Sequence, residues 1–517
     1  MNGAELLVKT AQRAGIEICF TNPGTTELPI VSAFDSIPGI RPILGLFEGC
    51  CTGAADGYGR MADKPAMTLL HLGPGLGNGI ANLHNARRAR TPVFNVIGDH
   101  ASWHRSADAP LTMDIAGLAK TVSGWQRSNQ TVEDIAGDTT DAIAASQNGL
   151  IATLIVPHDC QLENSVDNNI NQSTPASKLS ESESIQQATD CLLSGSKSVI
   201  ILGGRALRKR GLMAAARIQA AIGCRLLAET FAARMERGAG LPAVDRIPYN
   251  PKHAADLLCQ YQSVVVAGAR EPVAFFGYKG LKSRFLDPSQ EIRHLKGDSW
   301  AIEQSLENLA DALGAPMKFL SDSEIFPEFK LPKIPKGKLT PQHVGMTLAA
   351  LQPENAIIVD ESVTTGRPYF TLTDRVQPHT ILFLTGGAIG QGIPCAVGAA
   401  TACPDRPVIN LQADGSAMYT LQALWMQARE SLNITTLICS NRGYEILKIE
   451  QARSGNNTPG HYAQMLTDLG NPEIDWVQIS RGLGVPAVSV DSCEQLSYQL
   501  KGALAEPGPH LIEMQLA

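Results

Sequence analysis

The 517-residue chain has eleven cysteines but no CxxC pair. They stand singly or as the neighbours Cys50 and Cys51, which argues against a zinc cluster or a redox dithiol and leaves buried, reduced thiols as the reading. A sustained basic run is also missing, and 43 Lys+Arg face 50 Asp+Glu. That balance speaks against nucleic acid or an anionic membrane as the main partner. No apolar stretch approaches membrane-spanning length. The opening MNGAELLVKTAQRAG reads as an amphipathic helix, not as a basic segment leading into an apolar run and a cleavage site, so a soluble cytoplasmic protein is expected. There is no Walker A sequence, and the basic stretch GGRALRKRG (203–211) lacks GxGxxG, so a bound nucleotide is not indicated.

What the chain does contain is a repeated alternation of short apolar runs and helical patterns. IEICFTN, RPILGLFE, AMTLLHLG and PVFNVIGD read as strands in the first part, and SVIILGG, SVVVAGA and EIRHLKGD in the middle. AIIVDES, TILFLTGG, VINLQAD and TTLICSN do so in the last. Such alternation predicts parallel sheets with helices on their faces. Residues 164–184 are polar and aperiodic, and residues 327–341 combine four prolines with lysines. These breaks divide the chain into parts of domain size. The expected fold is α/β, three doubly wound parallel-sheet domains in series, at 1–165, 185–315 and 340–517.

Ligands of open α/β sheets bind at the carboxyl ends of the strands, so polar residues there are the candidates. In the first part they are Asn22 to Thr26, Glu48, His71 with the glycine-rich HLGPGLGNG, and Gly98-Asp99-His100. In the last they are Glu361-Ser362, Gly386-Gly387, Asp414-Gly415-Ser416 and Asn441. Asp414 and Asn441 flank one strand-helix-strand passage, so both side chains can reach one point. A carboxylate, an amide carbonyl and backbone carbonyls are hard oxygen ligands suited to Mg²⁺ completed by phosphate. Gly415 and Ser416 would open a helix whose free N–H groups cradle that phosphate. A plain capping aspartate and a turn asparagine are the alternative, and Glu48 alone reads equally as a helix cap.

ADGS (413–416) followed by SNRGY (440–444) resembles the diphosphate-binding motif of thiamine diphosphate enzymes, Gly-Asp-Gly then Asn-Asn, with Ala413 and Ser440 as departures. The resemblance implies Asp414, Asn441 and the Gly443 carbonyl as metal ligands, with Gly415, Ser416 and Tyr444 beside the cofactor. RPILGLFEGCCTGAADGYGRMADKPAMTLLHLGPG is similar to the glutamate-bearing segment of the same superfamily. There Glu48, expected to end a strand, would hydrogen-bond the aminopyrimidine ring. In GGAIGQGIP, Gly387 would approach the cofactor and Ile389 would hold it bent. Thr364 of ESVTTG falls where the family has a diphosphate contact, and Asn78 joins the implied cofactor contacts. NPGTTELP and LHLGPGLGNG are similar to segments of benzoylformate decarboxylase that would place Thr25 and His71 over the reactive carbon.

The resemblance covers essentially the whole chain, in the order pyrimidine-binding, central and diphosphate-binding domain. It lies closest to acetolactate-synthase-like large subunits and benzoylformate decarboxylase. It implies thiamine diphosphate with Mg²⁺, a 2-oxo acid substrate, and a homodimer or homotetramer whose sites combine the first domain of one chain with the last of another. FAD is allowed by the superfamily but not indicated. Decarboxylation with transfer to a carbonyl acceptor is the expected reaction; simple decarboxylation to an aldehyde is the alternative, and a catalytically silent or regulatory subunit is the alternative of another class. HNARRAR (84–90) reads as an anion site or a solvated basic helix end. Glu450 would project near the substrate if YEILKIE is helical, or lie on the surface.

Overall fold

Three sheets form among the described residues, which in the computed structural model are 1–165, 181–295, 301–317, 325–455 and 458–517. The first contains β1 (Ile18–Asn22), β2 (Arg41–Leu44), β3 (Ala66–His71), β4 (Val93–Asp99), β5 (Trp125–Ser128) and β6 (Ile151–Pro157). It is parallel throughout, in the order β2-β1-β3-β4-β6-β5. Next come β7 (Ser198–Leu202), β8 (Arg225–Ala228), β9 (Arg234–Arg237), β10 (Asp245–Arg246), β11 (Ser263–Ala267) and β12 (Glu291–Leu295). All of these except β9 make a second parallel sheet ordered β10-β8-β7-β11-β12.

The third sheet contains β13 (Ile357–Glu361), β14 (His379–Phe383), β15 (Val408–Ala413), β16 (Ile434–Ser440), β17 (Ala487–Val490) and β18 (His510–Gln515). Its order is β17-β18-β16-β15-β13-β14-β9. The added strand β9 runs antiparallel to β14, with Met235 opposite Ile381. Every residue of β7, β11 and β16 is buried. That is why β7 and β11 read as apolar runs after their opening serines, while β16 buries Thr435 and Thr436 as well: helices cover both faces of a parallel sheet.

Of the polar break at 164–184, residues 166–180 lie outside the described residues. Residues 327–337 run without helix or strand up to an isolated bridge between Lys338 and Ser492. Nine of the eleven cysteines are buried, Cys259 being exposed and Cys403 half-buried. No helix among the described residues is long and apolar enough to cross a membrane.

Two expectations are corrected. Glu48 does not end a strand: β2 stops at Leu44, and Glu48 opens the helix Glu48–Ala62 after an extended Phe47. The passage after β15 is not one helix but a single turn, Asp414–Ala417, and a second helix, Ala423–Arg429. Tight turns closed by Tyr419 N–H onto the Ser416 carbonyl and Thr420 N–H onto the Ala417 carbonyl end the first.

The small residues of Glu48–Ala62 have a packing reason. A Cβ at Gly57 would lie 2.0 Å from the Cys395 carbonyl oxygen, and one at Gly398 would lie 1.8 Å from that of Ala54. The helix therefore packs backbone to backbone on Gly392–Ala402, which joins the first unit to the last. Both helices begin beside candidate site residues, so this contact fixes the site's framework.

Candidate active site

At the carboxyl edge of the first sheet, β1 ends at Asn22 and the chain turns through Thr25–Glu27. The Glu27 side chain is wholly buried and reaches His71 at the end of β3, with Oε2 2.7 Å from Nδ1. The same carboxylate accepts the Gly24 N–H at 2.8 Å and the Thr26 hydroxyl at 2.6 Å. Two glycines make the space: a Cβ at Gly24 would lie 2.1 Å from His71 Nδ1, and one at Gly98 would lie 1.9 Å from Glu27 Oε1. With the carboxylate oxygen accepting, Nδ1 is the donor of this contact, and a neutral imidazole held this way offers Nε2 as an acceptor. Glu27 carried no signal of its own in the sequence, because an acid three residues after Gly24 reads as a turn cap, which it also is. Thr25 is exposed beside this pair.

Glu48 is buried at the start of its helix and accepts a 2.9 Å hydrogen bond from the Asn78 amide. A Cβ at Gly75 would come within 3.2 Å of its Oε1, so the glycine-rich run gives the carboxylate room. Glu48, Asn78 and His71 thus share one sheet edge. Among the described residues no hydrogen bond or ion pair joins Glu48 to Asp414 within one chain.

At the edge of the third sheet, Asp414 Oδ1 accepts the Gly415 N–H at 2.8 Å and Oδ2 accepts the Arg442 N–H at 2.7 Å. The Gly415 donor is therefore taken by Asp414 instead of standing free. Asn441 Oδ1 accepts the Gly443 N–H at 3.2 Å. Tyr444 packs on Gly415 so closely that a Cβ there would lie 2.5 Å from its ring. Burial raises the Asp414 pKa, with the surrounding N–H groups opposing that shift. No cationic side chain pairs with Asp414 among the described residues, and a desolvated, uncompensated carboxylate fits a divalent cation. No three His, Cys, Asp or Glu side chains converge among the described residues. The available donors are one carboxylate, one amide and backbone carbonyls, a set that fits Mg²⁺ completed by phosphate oxygens and not zinc.

Between these groups lies the loop 386–392. Gly387 has φ +77°, and Ile389 is half-buried. Asn85 donates to the Ala388 carbonyl at 2.7 Å, and Asn82 donates to that of Gly390 at 3.2 Å. From the other side Glu361, at the end of β13, accepts the N–H groups of Gly390, Gln391 and Gly392 at 2.7, 3.2 and 2.6 Å. The Gln412 amide donates both to Glu361 at 3.0 Å and to the Ser416 hydroxyl at 2.8 Å. One side chain thus ties the glycine loop to the Asp414 turn. Thr364 sits in the turn after β13 on the same edge, its N–H on the Ser362 carbonyl.

The two basic motifs converge on a crevice lined by Arg88, Arg90, Arg205, Arg208 and Arg270, where Arg205 pairs with Asp63 and Glu303 and Arg208 with Asp63. Glu450 lies in the helix Glu445–Arg453 and is neither free nor a simple surface carboxylate, since it bonds Arg453 and two tyrosines.

Three α/β units, with a buried glutamate on one outer sheet and an Asp-Asn pair on the other, define an enzyme scaffold for a cofactor that bears a diphosphate. The matches to known proteins agree. Residues 1–118 fit the thiamine pyrophosphate enzyme N-terminal TPP binding domain, and residues 367–514 fit the C-terminal TPP binding domain. The chain belongs to the thiamine diphosphate-dependent enzymes, in the family that includes acetolactate synthases and benzoylformate decarboxylases. It is 47% identical over 520 residues to the Mycobacterium tuberculosis protein named "Putative acetolactate synthase large subunit IlvX", covering 99% of both chains. To benzoylformate decarboxylase of Pseudomonas aeruginosa it is 28% identical, covering 97% of this chain and 96% of that one. The fold matches that of a thiamine diphosphate-dependent 4-hydroxybenzoylformate decarboxylase from Rhodococcus jostii with a TM-score of 0.87 at 23% identity, over 100% and 99% of the two chains.

Proposed function

We propose that the protein decarboxylates a 2-oxo acid with thiamine diphosphate and Mg²⁺ and transfers the resulting acyl unit to a carbonyl acceptor. The observation that carries this reading is the pairing of a buried Glu48 on one outer sheet with the Asp414–Asn441 pair on the other. When bound, thiamine diphosphate supplies the electron sink on which a carboxylate can leave as CO₂. The chain's own residues then have separable tasks. Asp414, Asn441 and the Gly443 carbonyl hold the cation, while Gly415, Ser416, Tyr444 and Thr364 line the diphosphate. Glu48, oriented by Asn78, exchanges a proton with the aminopyrimidine end. Gly387 and Ile389, braced by Glu361 and Asn85, set the cofactor's conformation.

Transfer to an acceptor is supported by the full-length similarity to a protein named for acetolactate synthase. A second reading, proton delivery and release of an aldehyde, is favoured by the Glu27–His71 pair, which holds an imidazole at the end of β3, 3.4 Å from the Thr26 hydroxyl. A complete site drawing on two chains, and so at least a homodimer, belongs to this reading as what the family resemblance implies. The test is mass spectrometry of products from a panel of 2-oxo acids, with and without acceptor aldehydes, at saturating thiamine diphosphate and Mg²⁺. Hydroxyketone products support transfer, and aldehyde alone supports the second reading. CO₂ release from none of the acids would refute both.

A further inference from the structure

The segment after β11 and the helix Glu445–Arg453 meet at one carboxylate. Glu450 Oε1 lies 2.5 Å from an Arg453 guanidinium nitrogen. The Tyr249 and Tyr278 hydroxyls donate to its two oxygens at 3.3 and 3.2 Å. Arg453 also lies over both tyrosine rings, 5.7 and 5.8 Å from their centroids. Burial, then the Glu450 charge, pushes the Tyr249 phenol up, so its hydroxyl keeps the proton it donates.

Behind these hydroxyls the rings form a connected group. Phe275 lies 5.3 Å from Phe231, 5.8 Å from Tyr249 and 4.7 Å from Phe276, and Phe276 lies 6.4 Å from Tyr278. The far end of the group rests on the cofactor loop: a Cβ at Gly387 would lie 2.5 Å from Phe275 Cζ. The aromatic group therefore spans from the loop carrying Ile389 to the helix that follows Asn441. Its polar tips are consumed by Glu450, while Phe275 and Phe276 are 39% and 53% exposed. Rings fixed in place, stripped of polar function and open beside a candidate cofactor cradle have the character of a binding-pocket wall, not of a core.

We propose that Phe275 and Phe276 form the wall that receives the substrate's side chain, so that the preferred 2-oxo acid carries an aryl or bulky apolar group instead of a methyl. Glu450, Arg453, Tyr249 and Tyr278 are positioning residues: they hold the wall without touching substrate. This inference rests on the reading of the chain as a 2-oxo acid enzyme, which it deepens by naming the substrate class.

The test separates binding from turnover. Glu48→Gln protein loaded with thiamine diphosphate and Mg²⁺ is titrated with benzoylformate and with pyruvate, and affinities are read by ligand-observed NMR. Benzoylformate is expected to bind about tenfold or more tightly than pyruvate, since a phenyl ring adds several apolar carbons to the contact. Adding Phe275→Ala with Phe276→Ala should bring the ratio close to one, and Phe276→Tyr should keep it. Glu450→Gln should lower the ratio while cofactor affinity stays unchanged. Phe276→Ala alone, at the more exposed position, serves if the double variant does not fold. Equal affinities for the two acids, no binding of either, or a ratio untouched by the alanine variants would each overturn the wall. CO₂ release from the unmutated chain judges the underlying reading separately: no release from any acid, with aryl selectivity retained, overturns that reading and upholds the wall.

Discussion

Glu27 Oε2 and His71 Nδ1 stand 2.7 Å apart, joining the turn after β1 to the last residue of β3 across the floor of the candidate site. The carboxylate is wholly buried and also accepts the Gly24 N–H and the Thr26 hydroxyl, so it cannot swing away. Replacing it with Gln removes the charge that fixes the His71 tautomer and leaves the amide donors crowded against Gly24. Glu27→Gln is expected to lower kcat by about 10²-fold while thiamine diphosphate affinity stays unchanged. Steady-state kinetics beside a cofactor titration checks this, and a kcat equal to that of the unmutated protein removes His71 orientation from the mechanism.

Glu48→Gln keeps the size of the side chain and its Asn78 neighbour but cannot exchange a proton. Deuterium exchange at C2 of the bound cofactor, followed by quenched-flow NMR, should slow by roughly 10²-fold or more, with the cofactor still bound. Full exchange in the variant would sink the role given to Glu48.

For Asp414 the sign of the pH dependence is fixed by burial. Its folded pKa is raised above the ordinary carboxylate value of 3.8, so without a cation the folded state holds its proton after the unfolded chain has lost it. Stability contributed by this group therefore falls as pH rises from the ordinary value through the raised one. A cation competes with that proton, so Mg²⁺ with thiamine diphosphate should raise the thermal midpoint more at neutral than at mildly acidic pH. Asp414→Ala should abolish the difference, and EDTA should mimic the variant. A pH-independent midpoint shift counts against Asp414 as ligand.

Glu361 predicts a different signature. Its oxygens satisfy three backbone N–H groups, and Gln in its place can accept with one oxygen only. Stranding buried donors costs about 1–3 kcal/mol, so Glu361→Gln should lower stability by that order in urea unfolding and weaken cofactor binding together. A stability loss with cofactor affinity unchanged would make Glu361 purely structural.

The strands and the Asp414–Asn441 crossover were legible because fully buried parallel strands leave apolar runs of distinct length, and a crossover fixes the spacing of what it joins. The end of β2 was not: Leu44-Gly-Leu-Phe stays apolar after the chain has left the sheet, so Glu48 read as a strand end. Glu27 escaped because its partner His71 lies 44 positions away, and Glu361, though named as a strand-end candidate, gave no sign of its hold on a loop 29 to 31 positions away; no local pattern encodes such distances. The aromatic group escaped for the same reason, since Phe231, Tyr249 and Phe275 meet only once the middle unit has folded.

The antiparallel strand β9 bears on how such a chain can be rearranged. Arg234–Arg237 lies between strands of the second sheet in sequence, yet pairs with His379–Phe383 as the outer edge of the third. The middle segment is therefore not a cassette to be lifted out or exchanged between relatives at its two flanking breaks. A chimera that imports a foreign middle segment must import a compatible β9 with it, or leave β14 with an unpaired edge that invites association between copies.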